Sequence, residues 1–149
     1  MKTGDSAPDF ELADAHGKSV RLSTLWQKGP VVLYFYPKDE TSICTKEACA
    51  FRDAYEDFVK AGAEVVGVSA DDPKSHQGFA AHHRLPFILL SDPDAKARKL
   101  YGISSTLGLI PGRVTFVIDR PGIIRHVFSS QFRAEKHVQE ALKVLESFR

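Results

Sequence analysis

Both cysteines of the chain, Cys44 and Cys49, lie in the stretch FYPKDETSICTKEACAF. A thiolate is a strong nucleophile and a metal ligand, so these two residues are where chemistry would begin. A C-x₂-C pair would put both sulfurs at one helix N-terminus, as a disulfide oxidoreductase requires; C-x₄-C does not. Cys44 follows an apolar run and falls in the first turn of the helix after it. There, free N–H groups and the positive end of the helix dipole favour a thiolate. Ser42 is the expected N-cap. Pro37 has no N–H and suits the point where the strand stops. Thr41, three residues before Cys44, aims a hydroxyl at the same spot as the sulfur. On spacing alone, a cysteine on an apolar stripe is equally an ordinary core side chain.

A metal reading is weaker. Cys44 and Cys49 with one histidine make a poor zinc site, because no second ligand pair accompanies them. His82 and His83 are adjacent, so a helix sends them about 100° apart and away from a common ion. With His76 they are assigned to a solvated face. No metal and no cofactor are expected.

Hydrophobic periodicity supplies the elements that would position these residues. PDFEL and KSVRL flank a turn at Gly17 and read as an N-terminal hairpin. Val31–Tyr36 is a continuous apolar, β-rich run, the pattern of a strand buried on both faces. Cys44, Ala48, Phe51, Tyr55 and Phe58 form one stripe of a single helix ended by Gly62. Residues 63–70 read as a strand, 73–84 as a helix with Pro73 in its first turn, 86–90 as a short strand and 94–102 as a short helix. Residues 113–119 and 123–128 form a second hairpin. A C-terminal helix turns Val138, Ala141, Leu142, Leu145 and Phe148 inward. Such an alternation implies an α/β fold, a mixed central sheet with helices on both faces.

Bulk properties exclude several classes. The chain has 149 residues, which fits one domain over 1–149. Its formal net charge of +1 offers no electrostatic footprint for nucleic acid or an anionic membrane. No apolar run approaches the roughly 20 residues of a membrane span. The start lacks the apolar core of a signal peptide, so a cytoplasmic protein is expected, or a processed organellar form. Two cysteines in a reducing compartment point to catalysis or metal binding more than to a structural bridge.

The motif then narrows the reading. PKDETSIC has the P-x₃-T-x₂-C pattern of peroxiredoxins, with Pro37, Thr41 and Cys44 in the three places. The wider stretch YFYPKDETSICTKEACAFRD resembles the bacterioferritin comigratory protein, or peroxiredoxin Q, branch. The likeness extends through GDSAPDFEL, LLSD, PGRVTFVID and the C-terminal QF, His137 and ALKVL. It implies a thioredoxin-like fold and reduction of hydrogen peroxide or organic hydroperoxides. By the same resemblance Cys44 is the peroxidatic cysteine, Cys49 the resolving one, and Thr41 and Arg113 bind the peroxide. Pro37 shields the sulfur, and Glu47 helps hold the arginine from behind. Thioredoxin or a glutaredoxin-like dithiol is the implied reductant, and a monomer the implied state. Ser42-Ile43 stand where the family often has Pro-Gly, so Ile43 adds an apolar wall to the site.

The chemistry agrees with that assignment. As the thiolate attacks one peroxide oxygen, charge develops on the other, and donors are needed around both. A guanidinium is always charged and offers several N–H groups. If both cysteines lie on one helix, their Cα atoms are about 8.6 Å apart, beyond the roughly 7 Å a disulfide tolerates. An intramolecular Cys44–Cys49 bond, as the resemblance implies, would therefore require part of the helix to unwind. The alternatives are a thiol-disulfide oxidoreductase, which would want C-x₂-C, and a non-enzymatic redox-sensing or chaperone module on the same fold.

Overall fold

The computed structural model describes residues 1–103, 105–106 and 110–148, the side chains of 105–106 and 110–111 excepted. Its strands are β1 (Glu11–Asp14), β2 (Ser19–Arg21), β3 (Val31–Phe35), β4 (Glu64–Ser69), β5 (Ile88–Ser91), β6 (Ser105–Thr106), β7 (Ile110–Pro111), β8 (Val114–Ile118) and β9 (Ile124–Ser129). Its helices are α1 (Leu22–Trp26), α2 (Ser42–Asp53), α3 (Tyr55–Lys60), α4 (Pro73–His83), α5 (Lys96–Leu100) and α6 (Ala134–Glu146). Seven strands form one mixed sheet in the order β2-β1-β5-β4-β3-β8-β9. The central β5, β4 and β3 are parallel, and β1 and β8 join them antiparallel. The sheet has helices on both faces, and this is the α/β thioredoxin-like architecture expected.

The strand β3 shows why the sheet is two-sided. All five of its residues are buried. Val32, Tyr34 and Tyr36 face one core, with Phe51, Phe58, Phe79 and Leu145. Val31, Leu33 and Phe35 face the other, with Leu22, Ala97, Tyr101 and Phe116. Alternation of side chains along a strand divides a continuous apolar run between two layers. On the neighbouring strand, Gly67 leaves room for the Tyr34 ring, since a Cβ there would lie 2.8 Å from Tyr34 Cζ.

Several expectations need correction. The helix from Cys44 to Gly62 is two helices, broken at Ala54, whose carbonyl accepts from Asp57 N at 2.9 Å as well as from Phe58 N. The tightened turn lets Phe58 pack on Phe51, ring centroids 5.7 Å apart. No proline or glycine marks it, because packing overrides the high helix propensity of alanine. The N-terminal hairpin is present, pairing Leu12 with Val20, but Leu22 begins α1 instead of ending a strand. The short pair β6–β7 was not expected. Phe148 is not turned inward: it lies beyond Ser147, the C-cap of α6, and is 40% exposed. His76 is not on a solvated face but fully buried.

Candidate active site

The sheet brings two chain segments to one end of its central strands. The loop after β3 carries Pro37 and Thr41 into α2, and the start of β8, which pairs with β3, carries Arg113. Pro37, Thr41, Ser42, Ile43, Cys44, Arg113, Gln131 and Phe132 line one cavity of about 290 Å³. Ile43 therefore forms the apolar wall expected of it. Phe132, 77% exposed, stands at the mouth.

Cys44 lies in the first turn of α2 and is buried. Arg113 Nη2 donates to its sulfur at 3.1 Å. The same guanidinium donates from Nη1 to Glu47 Oε1 at 2.5 Å and from Nε to the Gln131 carbonyl at 3.0 Å. Arg113 is thus held from two sides with one nitrogen aimed at the thiol. Thr41, not Ser42, occupies the N-cap position of α2, and its side chain makes no cap bond. Its hydroxyl donates instead to the Lys38 carbonyl at 2.8 Å. That spends its proton and leaves oxygen lone pairs to accept from a bound O–H.

Glu47 sits one turn after Cys44 and is fully buried. Burial pushes its carboxyl up to about 7, with Arg113 opposing the rise. Burial alone would lower Arg113, but Glu47 and Cys44 outweigh it and hold the guanidinium above its ordinary value. Glu47 Oε2 takes no hydrogen bond from a described residue. His137 Nδ1 is 3.6 Å from that oxygen. Burial pulls His137 down to about 4, although the Ser130 carbonyl opposes it. The ring is therefore neutral at working pH. Its Nε2–H donates to Ser130 O at 2.8 Å, so Nδ1 accepts from the Thr115 hydroxyl at 2.7 Å.

Three supporting groups had no sequence signal. Arg98 donates to the carbonyls of Tyr36 (3.1 Å) and Gly112 (2.6 Å), the residues just before Pro37 and Arg113. One cation so ties together the two segments that make the site. Beneath the loop, Asp39 accepts from the Tyr36 hydroxyl at 2.5 Å and faces His76 Nδ1 at 2.7 Å, while His76 Nε2 donates to the Leu90 carbonyl. His82 and His83, expected to diverge, both reach Glu40.

Cys49 is not brought to this cavity. It is half-buried on another side of α2, in a hollow of about 480 Å³ with Lys46, Asp53, Asp57 and Glu135. Both cysteines are free thiols.

Residues 3–127 match the AhpC/TSA family. Over 148 residues the chain is 54% identical to a chloroplastic peroxiredoxin Q of Populus jackii, covering 99% of this chain and 69% of that one. The chain belongs to the AhpC/TSA family, as a peroxiredoxin Q. Among solved structures, the peroxidoxin BcpB of Mycobacterium tuberculosis superposes with a TM-score of 0.93 at 42% identity, covering 100% of this chain and 99% of that one. The bacterioferritin comigratory protein of Xanthomonas campestris, a protein of alkyl peroxide reduction activity, has a TM-score of 0.84 at 28% identity over 93% and 91% of the two chains. This peroxiredoxin is a thiol-dependent peroxidase, with a peroxide as substrate and a thiol as reductant. A disulfide oxidoreductase or a non-enzymatic module on this fold is not favoured. Among the described residues, no helix is long and apolar enough to cross a membrane.

Proposed function

We propose that Cys44 is the peroxidatic nucleophile, that Thr41 and Arg113 hold and polarise the peroxide, and that Cys49 resolves the product. The observation that carries this reading is the 3.1 Å contact from Arg113 to the Cys44 sulfur within the cavity that Thr41 also lines. The thiolate attacks the near peroxide oxygen; the S–O bond forms as the O–O bond breaks. The far oxygen leaves as alkoxide or hydroxide, stabilised by the Arg113 charge, and takes up a proton. Thr41 accepts a hydrogen bond from the peroxide, Pro37 screens the sulfur from water, and Glu47 positions the guanidinium.

The sulfenic acid on Cys44 is then attacked by the Cys49 thiolate; the S–S bond forms as the S–O bond breaks, hydroxide leaves and takes up a proton to become water, and an intramolecular disulfide remains. Two electrons from thioredoxin or a glutaredoxin-like dithiol return both thiols. The apolar cavity wall suits organic hydroperoxides as well as hydrogen peroxide. The reading includes one domain over residues 1–149, a monomeric enzyme and a cytoplasmic location or a processed organellar form; the Populus jackii relative is named as chloroplastic. Intact mass after one equivalent of peroxide tests it. A loss of two hydrogens is expected in the wild type, and Cys44→Ser should show no change; a gain of oxygen without disulfide would remove Cys49 from its role. Peroxide consumption coupled to thioredoxin and its reductase should stop in Cys44→Ser.

A further inference from the structure

The end of α4 and the loop before Thr41 meet in a cluster that the peroxidase chemistry does not use. His82 and His83 are sequence neighbours, and helical geometry starts their side chains about 100° apart. They converge nonetheless, because His82 reaches with Nδ1, near its backbone, and His83 with Nε2, at the far edge of its ring. The ring centroids are 4.1 Å apart. Both nitrogens meet one carboxylate: His82 Nδ1 lies 2.8 Å from Glu40 Oε2, and His83 Nε2 lies 2.7 Å from Glu40 Oε1.

Two of the three members, His83 and Glu40, are held by something outside the cluster. The His83 ring packs edge-on against Phe79 at 5.3 Å, and its carbonyl accepts from Arg52 Nη1 at 2.8 Å. Arg84 turns into the left-handed region directly afterwards and ends the helix. Glu40 itself has φ of 61°, a conformation that residues with a Cβ rarely adopt. Its neighbour Asp39 is pinned by Tyr36 and His76 and, through its N–H, by Asp71. The carboxylate is therefore presented to the two rings by a backbone fixed elsewhere.

We propose that Glu40, His82 and His83 form a binding site for a divalent transition-metal ion of the zinc class. Their ligand atoms all lie within 4.8 Å of one another. Zinc takes histidine nitrogen and carboxylate oxygen at about 2.0–2.2 Å in a tetrahedron. Donors around such an ion stand about 3.4 Å apart, so the two present contacts need to open by only about 0.6–0.7 Å. Two imidazoles select against magnesium and calcium, which prefer all-oxygen shells. The side chains of His82 and Glu40 are 66% and 47% exposed, which leaves the remaining coordination position to water. In the free site the Glu40 carboxylate accepts from His82 Nδ1–H and His83 Nε2–H; on binding, the ion takes the place of those two protons, and each neutral ring carries its single proton on the other nitrogen. The Asp39, Asp71 and His76 group also gathers ligand atoms, but it is closed by hydrogen bonds to Tyr36, Ser69, Ser75 and Leu90.

Glu40 directly precedes Thr41, and α2 begins at Ser42. An ion at this site ties the start of the cysteine-bearing helix to α4. The test uses the full chain with Cys44→Ser and Cys49→Ser, which removes thiolates as competing ligands. Calorimetric titration with zinc chloride near neutral pH should give one ion per chain, and magnesium chloride should give no binding heat. His82→Ala and, separately, Glu40→Gln should each weaken zinc by at least about tenfold with an unchanged melting curve, since each removes one of three ligands. Zinc should also slow hydrogen exchange at amides 39–44. No zinc uptake, or uptake that neither substitution weakens, overturns the site; uptake without added protection at 39–44 overturns the tie to α2.

Discussion

Arg113 divides one guanidinium among a thiol, a carboxylate and a carbonyl. Only the contact with Cys44 changes as a peroxide bond breaks, so the arginine should act on the transition state more than on substrate binding. Arg113→Met keeps the length and removes the charge. Loss of one such donor should slow Cys44 oxidation by about 10²–10³. Single-turnover oxidation in a Cys49→Ser background measures this step, and a rate within a few-fold of the parent would make the arginine structural. Thr41→Val should slow the same step with little change in the melting curve; unchanged kinetics would remove Thr41 from the site.

The buried Glu47 belongs to the same scale. Its folded-state value of about 7 lies above the ordinary 4.5. The folded chain therefore holds more protons than the unfolded one between those values, and this group's contribution to stability falls as pH rises through that window. His137, pulled down to about 4 from 6.5, has the opposite sign, and stability rises with pH across its window. The two nearly cancel in the wild type. Glu47→Gln removes one of them, so the variant should gain on the order of 2 kcal/mol relative to wild type between pH 5 and 7. Urea denaturation at the two pH values reads the difference, and a constant gap would show that Glu47 does not titrate there.

At the scale of elements, α2 carries Cys44 into the core and Cys49 into a surface hollow. A disulfide between them is incompatible with an intact helix. The break at Ala54 separates α2 from α3, whose Phe58 is fully buried. Unwinding of α2 therefore has a place to stop. Oxidation should cost amides 42–50 their exchange protection, while amides 57–60 in α3 keep theirs. Hydrogen exchange on both redox forms checks this. Equal protection of α2 in the two forms, or an intermolecular disulfide on a non-reducing gel, would exclude a helix that opens to let its two cysteines meet.

At the scale of the whole molecule, the site depends on a sheet packed on both sides. Phe51, fully buried, stacks on Tyr34 with ring centroids 4.5 Å apart and meets Phe87 edge-on. Phe51→Ala should destabilise the fold by about 3–5 kcal/mol through lost burial and the cavity left behind. Thermal unfolding should register that as a drop of roughly 10 °C or more; a loss of a degree or two would mean that α2 does not rely on this contact.

What could be read from residue order alone was whatever rests on local pattern. The apolar run of β3 declared a strand buried on both faces because it leaves no polar position along its length. Pro37, Thr41 and Cys44 were legible as a set through the resemblance of their motif to that of peroxiredoxins; spacing alone left Cys44 equally a core side chain. The five-residue α1 and the two-residue strands β6 and β7 carry no distinct periodic or turn signal of their own. The tertiary structure alone decided which distant groups meet. Arg113 reaches Cys44 because β8 pairs with β3; Arg98, on α5, bonds the carbonyls of Tyr36 and Gly112 from a distant part of the chain. His76 is buried because Asp39 and the Leu90 carbonyl satisfy its ring. A histidine's burial depends on partners supplied by other elements, and nothing in its own neighbourhood of sequence records them.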